Sequence, residues 1–215
     1  MPAAGVATSM APKRGPAAAA IARKSSRRNS RPKAAHSGRS HMLRALALII
    51  AFAQAQPHID PFNLELRIHE LINNERAAQK LRPLKMDKRL FEIARVHSKD
   101  MFDRKYFDHI DPDGKGPTAR ARALHYTCRK MSGDYITEGL SENIFQNNLY
   151  NRVIFNGDKA TYEWNTTENI AQSTVKGWMS SLGHRHNILS AMFQSEAIGV
   201  YITPNDQVLI TQLFC

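Results

Sequence analysis

Acidic side chains are absent from residues 1–41 of this 215-residue chain, whereas nine of its 30 basic side chains lie there. The rest of the chain therefore carries 21 basic side chains against 19 acidic ones, although the whole chain has a net charge of +11. A nearly neutral domain gains little from displacing the counterions of a phosphate backbone. We therefore expect no nucleic-acid partner for the folded domain.

Large apolar side chains are also scarce in residues 1–41, so this segment cannot bury enough surface to offset the entropy cost of folding. Two interpretations follow. The segment is a disordered basic tail, or it is a mis-assigned extension, because Met42 begins a better export signal.

The apolar run at 45–53 is too short to cross a bilayer, which takes ~20 residues. It follows a basic residue and precedes small residues at Ala53-Gln54-Ala55, the pattern of a cleaved signal peptide. We predict a signal peptide over 42–56, no stable membrane span, and a mature protein that is secreted or held in the cell envelope. A buried N-terminal helix is the alternative interpretation.

Cysteine is nearly absent, with Cys128 and Cys215 the two examples, both beyond the predicted signal. A disulfide between them would suit an extracellular protein. Two buried free thiols are equally compatible with the sequence.

Apolar periodicity predicts two helices in the first half of the domain. One runs from about Leu64 to Leu81 after an Asn63 cap, and the second follows an Asp87 cap. A third, short helix begins at Pro117.

The second half mixes hairpin and helix signals. Asn156-Gly157 and Pro204-Asn205-Asp206 each separate two β-rich runs, which predicts two hairpins. A capping box at 165–168 opens a helix that we expect to end at Gly183. Helices enclosing hairpins indicate an α+β domain.

Three polar stretches, far apart in sequence, contribute His109, Glu142 and His184. Two neutral imidazoles and a carboxylate can bind zinc and leave one position open to water. These three residues are the candidate metal ligands, and zinc is the candidate cofactor. His97 lies in the apolar stripe of the second helix, and we interpret it as a core histidine bonded to backbone.

Two polar residues beside His184 have structural interpretations. Asn187 is expected to satisfy backbone groups at the turn after Gly183, and Arg185 is expected to pair with an aspartate of the 108–113 stretch. Trp178 is expected to belong to the core.

The order of several motifs resembles the CAP superfamily of cysteine-rich secretory proteins, antigen 5 and pathogenesis-related proteins, in its compact prokaryotic branch. The resemblance covers about 62–214, and we expect the domain to span 62–215. The motifs are Leu71-Ile72-Asn73-Asn74-Glu75-Arg76, His97-Ser98-x-Asp100-Met101, Phe107-x-His109, Asp113-Gly114 with Arg120, Glu142-Asn143-Ile144, and Gly177-Trp178-Met179-x-Ser181-x-Gly183-His184-Arg185-x-Asn187-Ile188-Leu189.

The resemblance implies a three-layer α-β-α sandwich with a central antiparallel sheet and a shallow cavity lined by two His and two Glu. His109, Glu142 and His184 match three of the four cavity positions. Ser181 stands where the family has the second Glu, and Glu168 on the same helix is a candidate substitute.

Three functions are compatible with these residues. The first is a monomeric extracellular binding module for a divalent cation, a small apolar or lipid ligand, or a component of the cell envelope. The second is a metal-dependent hydrolase with Glu142 as ligand or base. The third is a structural exported protein with a vestigial site. We favour the binding module over an enzyme.

Overall fold

The computed structural model describes residues 55–215, apart from the side chain of Ser132. The basic tail predicted at 1–41 and all but the last two residues of the signal peptide predicted at 42–56 therefore lie outside the described residues.

Five helices form in the described residues, and their caps explain where they begin. Asp60, not Asn63, caps the first helix, because its carboxylate accepts from Phe62 N at 2.8 Å. Asp87 caps the second as predicted, accepting from the backbone of Arg89 at 2.9 Å. The helices are α1 (Pro61–Ala78), α2 (Lys88–Asp103), α3 (Pro117–Ala123), α4 (Thr167–Ser180) and α5 (Leu182–Ile188).

The predicted helix end at Gly183 is wrong. Helix α4 stops at Ser180, because Ser181 adopts an extended conformation with ψ 127°, and α5 starts one residue later with Gly183 inside it. Thr166, within the predicted capping box, caps α4 by accepting from Asn169 N at 3.2 Å.

Eight strands form one central sheet and two separate hairpins in the described residues. The four-stranded sheet has the order β1-β7-β8-β4, and the hairpins are β2-β3 and β5-β6. The strands are β1 (Lys85–Met86), β2 (Arg129–Ser132), β3 (Tyr135–Glu138), β4 (Ser141–Asn148), β5 (Tyr150–Asn156), β6 (Lys159–Trp164), β7 (Ser195–Ile202) and β8 (Gln207–Phe214).

Both predicted hairpins, β5-β6 and β7-β8, form. Strands β4, β8 and β7 are antiparallel, as expected, but the two-residue edge strand β1 is parallel to β7. The central sheet is therefore mixed rather than wholly antiparallel.

Helices cover both faces of the central sheet, which gives the expected α+β three-layer sandwich. Alternate residues of β7 face opposite layers: Ala197 packs with α2, whereas Ile198 packs in the core shared by α1 and α4. At Gly199 a Cβ would lie 2.2 Å from the backbone carbon of Ala94, so only glycine allows α2 to lie this close to β7.

One disulfide ties the start of β2 to the chain end. Cys128 and Cys215 are bonded, with their Cα atoms 5.6 Å apart, which confirms the disulfide alternative. The bond spans 87 residues and lies next to the core between α2 and the sheet. In the described residues, no helix is both long and apolar enough to cross a membrane.

We predict that the disulfide makes a large contribution to stability. Replacing both cysteines by alanine should lower the free energy of unfolding by ~2–5 kcal/mol, because the closed loop is long. Chemical denaturation measures this change. Reductant should lower the melting temperature of the wild type and leave that of the double variant unchanged; equal melting temperatures for all samples would contradict the prediction.

Candidate functional site

The candidate site is built around the carboxylate of Glu142 on β4, an edge strand of the central sheet. The Glu142 side chain is 1% exposed and lies on the sheet face that α2 covers. One of its oxygens accepts from His109 Nδ1 at 2.8 Å, and the other forms a short ion pair with Arg120. Because a buried carboxylate needs compensation, the Arg120 guanidinium is what allows Glu142 to lie here.

Arg120 also fixes the backbone that carries His109. It projects from α3, and its guanidinium donates to the carbonyl oxygen of His109 at 2.8 Å. The loop before α3 is closed by Asp111, whose side chain accepts from Lys115 N at 2.8 Å, and Gly114 turns with φ +76°. The strong turn signal of this stretch therefore serves to hold His109 against Glu142.

His97 is the site residue that the sequence interpretation missed. It is buried on α2 with Nε2 3.7 Å from the Glu142 carboxylate, and this nitrogen has no hydrogen-bond partner among residues 55–215. Its Nδ1 lies 3.3 Å from the hydroxyl of Tyr106. Burial lowers the pKa of His97 and favours the neutral imidazole, and the negative charge of Glu142 only partly offsets this effect. Its place in an apolar stripe gave no signal of this contact.

His184 lies on α5 on the other side of His109. The two imidazole centroids are 6.5 Å apart, with ring planes tilted by 58°. Burial lowers the pKa of His184, and the neighbouring His109 lowers it further, so His184 also favours the neutral form. His109 is well exposed to solvent, since 44% of its side chain is accessible.

Helix α5 is held to the edge strand by side-chain amides. Asn187 donates to the carbonyl oxygen of Glu142 at 3.3 Å and to the side chain of Asn143 at 2.9 Å, and Asn143 donates to the His184 carbonyl at 3.2 Å. The buried Trp178 confirms the core prediction and donates to Ile144 O at 3.0 Å. Asn187 therefore satisfies groups of β4, not of the turn where it was expected.

Two of the aspartates that were expected to pair with Arg185 lie beside Arg104 instead. Asp113 pairs with Arg104 at 2.9 Å, and Asp111 lies 3.7 Å from the same guanidinium. Arg185 instead donates to Met179 O at 3.5 Å. Arg104 takes the aspartates because it ends α2, directly before their loop.

A chain of buried polar groups continues from Asn143 across the opposite face of the sheet. Asn143 donates to the side-chain oxygen of Gln212 at 2.9 Å, and Gln212 donates to Glu196 at 2.5 Å. The other oxygen of Glu196 lies 2.6 Å from His69 Nδ1. Since both amides donate towards Glu196, the orientation of Asn143, and with it of α5, is set by this carboxylate.

The structure brings His109, Glu142 and His184 together but does not bring Glu168 to them. Glu168 lies in the first turn of α4, where it forms a two-point ion pair with Arg67 at 2.6 and 3.0 Å. The site lies at the other end of this helix, ~20 Å away at 1.5 Å per residue. Ser181 lies at the junction of α4 and α5 and makes no side-chain cap to α5.

In residues 55–215 the geometry does not support Glu142 as a third metal ligand beside the two histidines. Both Glu142 oxygens are already engaged, by His109 and Arg120, which leaves neither aimed at a shared ion. In the part of the chain that the structure describes, no cluster of three or more His, Cys, Asp or Glu has the geometry of a metal site. His109 Nε2 is left available by the Glu142 bond to Nδ1.

The described domain is similar to known proteins over most of its length. In Bacillus subtilis, the uncharacterized protein YkwD is 30% identical over 135 residues, which are 63% of this chain and 41% of that protein. The chain thus spans about two fifths of the length of this relative.

Two solved structures share the fold. One is an extracellular protein containing an SCP domain from Bacillus anthracis, with a TM-score of 0.51, 23% identity, and coverage of 74% of this chain and 44% of that one. The other is an outer surface protein of Borrelia burgdorferi, with a TM-score of 0.54, 14% identity, and coverage of 74% and 97%.

The family comparison agrees with the order of motifs along β4, α4 and α5. The profile of the cysteine-rich secretory protein family matches residues 69–214, which include every helix and strand from β1 to β8 and most of α1. The chain belongs to the cysteine-rich secretory protein (CAP) family.

Proposed function

We propose that this protein is an exported binding module whose site holds a divalent cation between His109 and His184. The observation that carries the proposal is the bond from His109 Nδ1 to Glu142, because it fixes the tautomer that leaves Nε2 free to bind. The lowered pKa of His184 supports the proposal, because metal binds the neutral imidazole.

In this proposal Glu142 orients His109 and does not ligate the ion. Zinc would act at the site as a Lewis acid, with water or a ligand in its remaining positions. Two ring nitrogens at ~2.0–2.1 Å from one ion lie close together, so the exposed His109 ring would move towards His184 on binding. With two protein ligands we expect a weak and exchangeable ion.

Binding is better supported than hydrolysis. A hydrolase needs a base that can accept a proton from water. Glu142 is tied to Arg120, and Glu168 is tied to Arg67, so neither carboxylate is free for this step. A hydrolytic role with Glu142 or Glu168 as the base is therefore not part of this proposal.

A small apolar ligand is a second candidate, and one groove favours it. This groove has a volume of about 660 Å³ and lies between the end of α2 and the sheet. Its apolar lining is formed by Met101, Phe102, Tyr106, Phe107 and Leu209. Phe107, which lies two residues before His109 in the chain, is 45% exposed and is one of the lining residues.

The metal proposal predicts the effect of three alanine variants on zinc affinity. His109→Ala and His184→Ala should each weaken zinc binding at least about tenfold, because each removes one of two ligands. His186→Ala is the matched control, since His186 is exposed on the same short helix and should not matter. Calorimetry with zinc measures all four proteins. Equal affinities would place the ion elsewhere and leave only the apolar-ligand candidate.

The lowered pKa of His184 predicts the direction of the pH dependence. Protons compete with the metal for imidazole, so affinity should be constant near pH ~8 and fall as the pH drops below ~6.5. Because the pKa of His184 lies below its usual value, protonation of His184 should weaken zinc binding only at a pH below ~6.5. Zinc titrations at several pH values test this, and affinity that rises on acidification would contradict it.

Export predicts a defined mature terminus. The apolar run at 45–53 and the small residues after it should direct cleavage near Ala55, so protein secreted by its native host should begin at about Gln56. Mass spectrometry of the secreted protein measures this. A charge in the apolar run, such as Leu48→Arg, should retain the protein in the cell, and full-length wild type in the cytosol would refute the prediction.

A further inference from the structure

The hairpin β5-β6 and the start of α4 form a surface that the histidine site does not use. The hairpin is a separate two-stranded sheet, anchored to the rest by Asn165 N to Leu149 O at 2.7 Å and Leu149 N to Asp206 O at 2.8 Å. Asn147, where this surface begins, lies five residues along β4 from Glu142, or ~17 Å for an extended strand.

Three aromatic rings pack together on the hairpin. Tyr162 stacks on Trp164 with centroids 4.9 Å apart and planes inclined by 13°, and Tyr150 packs edge-on against both, at 5.5 and 6.4 Å. Tyr162 is the outer ring, with 38% exposed. The cluster therefore offers a fixed aromatic face to solvent.

A polar groove continues from this cluster through Tyr150. It has a volume of about 500 Å³, and among residues 55–215 six of its nine lining residues carry side-chain amides, whereas none is a carboxylate. The only charged residue among these nine is Lys176. The amide residues are Asn147, Asn148, Asn151, Asn165, Asn169 and Gln172.

Some of these amide side chains form hydrogen bonds within the domain, and others are exposed to solvent. Asn147 donates to Ser173 at 2.7 Å, and Asn165 donates to Asn148 O at 3.0 Å. The side chains of Asn151 and Asn169 are exposed and make no hydrogen bond within residues 55–215. The fixed amides shape the groove, and the two remaining ones present both donors and acceptors to a ligand.

We propose that this surface binds a neutral glycan chain, with one sugar ring on Tyr162 and the next units along the amide groove. A sugar ring has a face of polarised C–H bonds, which suits the electron-rich face of an aromatic ring. Its hydroxyl and acetamido groups are donors and acceptors, like the amides that line the groove. A neutral glycan thus matches both parts of the surface.

The charge of the groove decides against single-stranded nucleic acid, which also stacks on aromatic rings. Such ligands are held in positively charged grooves. Among the described residues of the lining Lys176 is the one positive charge, and Arg152 of β5 lies 3.4 Å from Glu163.

The test uses the mature chain with its disulfide and two uncharged probes, chitotetraose and cellotetraose, titrated separately by calorimetry. At least one should bind saturably, and Tyr162→Ala and Asn169→Ala should each weaken that binding about tenfold or more. Phe155→Ala is the matched control: this ring is 72% exposed on the same hairpin but lies outside the aromatic cluster, so binding should be unchanged.

Further outcomes distinguish glycan binding from the proposed zinc site and from nucleic-acid binding. His109→Ala should bind the glycan as the wild type does, whatever its zinc affinity, and melting temperatures of all variants should match. No binding of either probe at millimolar concentration would overturn the proposal, as would equal binding by the wild type, Tyr162→Ala and Asn169→Ala. Tighter binding of an oligothymidine, abolished by Lys176→Ala, would assign the groove to nucleic acid instead.

Discussion

Two adjacent residues of an edge strand hold together the three layers of this domain. Because strand side chains alternate, Glu142 lies on one face of the sheet and Asn143 on the other. The Glu142 carboxylate bonds to Arg120 of α3 and to His109 of the preceding loop. It also lies 3.7 Å from His97 of α2. Asn143 bonds Gln212 and the carbonyl of His184, and accepts from Asn187 of α5. The Glu-Asn pair thus fixes both histidines of the site through one stretch of backbone.

The charge of Glu142 limits the chemistry that remains possible at the site. A carboxylate this buried must be paired, and once Arg120 takes one oxygen and His109 the other, it is neither a free ligand nor a free base. What the site still presents is one accessible imidazole, with a second beside it. The ion pair that satisfies the buried charge therefore leaves the imidazoles as the groups that the site offers to a ligand.

The parts of the fold that depend on local sequence were predictable, and those that depend on tertiary contacts were not. The Asp87 cap and both hairpin turns were identified because their signals lie within a few residues. His97 was missed because its contact with Glu142 joins residues far apart in sequence, and an apolar stripe looks the same with or without it. Gly183 failed as a helix end because the backbone already turns at Ser181.

The structure also separates what the fold must keep from what it can vary. At Gly177 a Cβ would lie 2.4 Å from the Phe145 ring, so any other residue at this position would require that ring to shift. The next residue, Trp178, is buried and donates to the carbonyl oxygen of Ile144 on β4. The hairpin β5-β6 forms its own sheet, bonds to the domain through Leu149 and Asn165, and packs Trp164 against the main core. The exposed residues Asn151 and Tyr162 of this hairpin lie outside the core, so they can change without disturbing the contacts that hold His109 and His184.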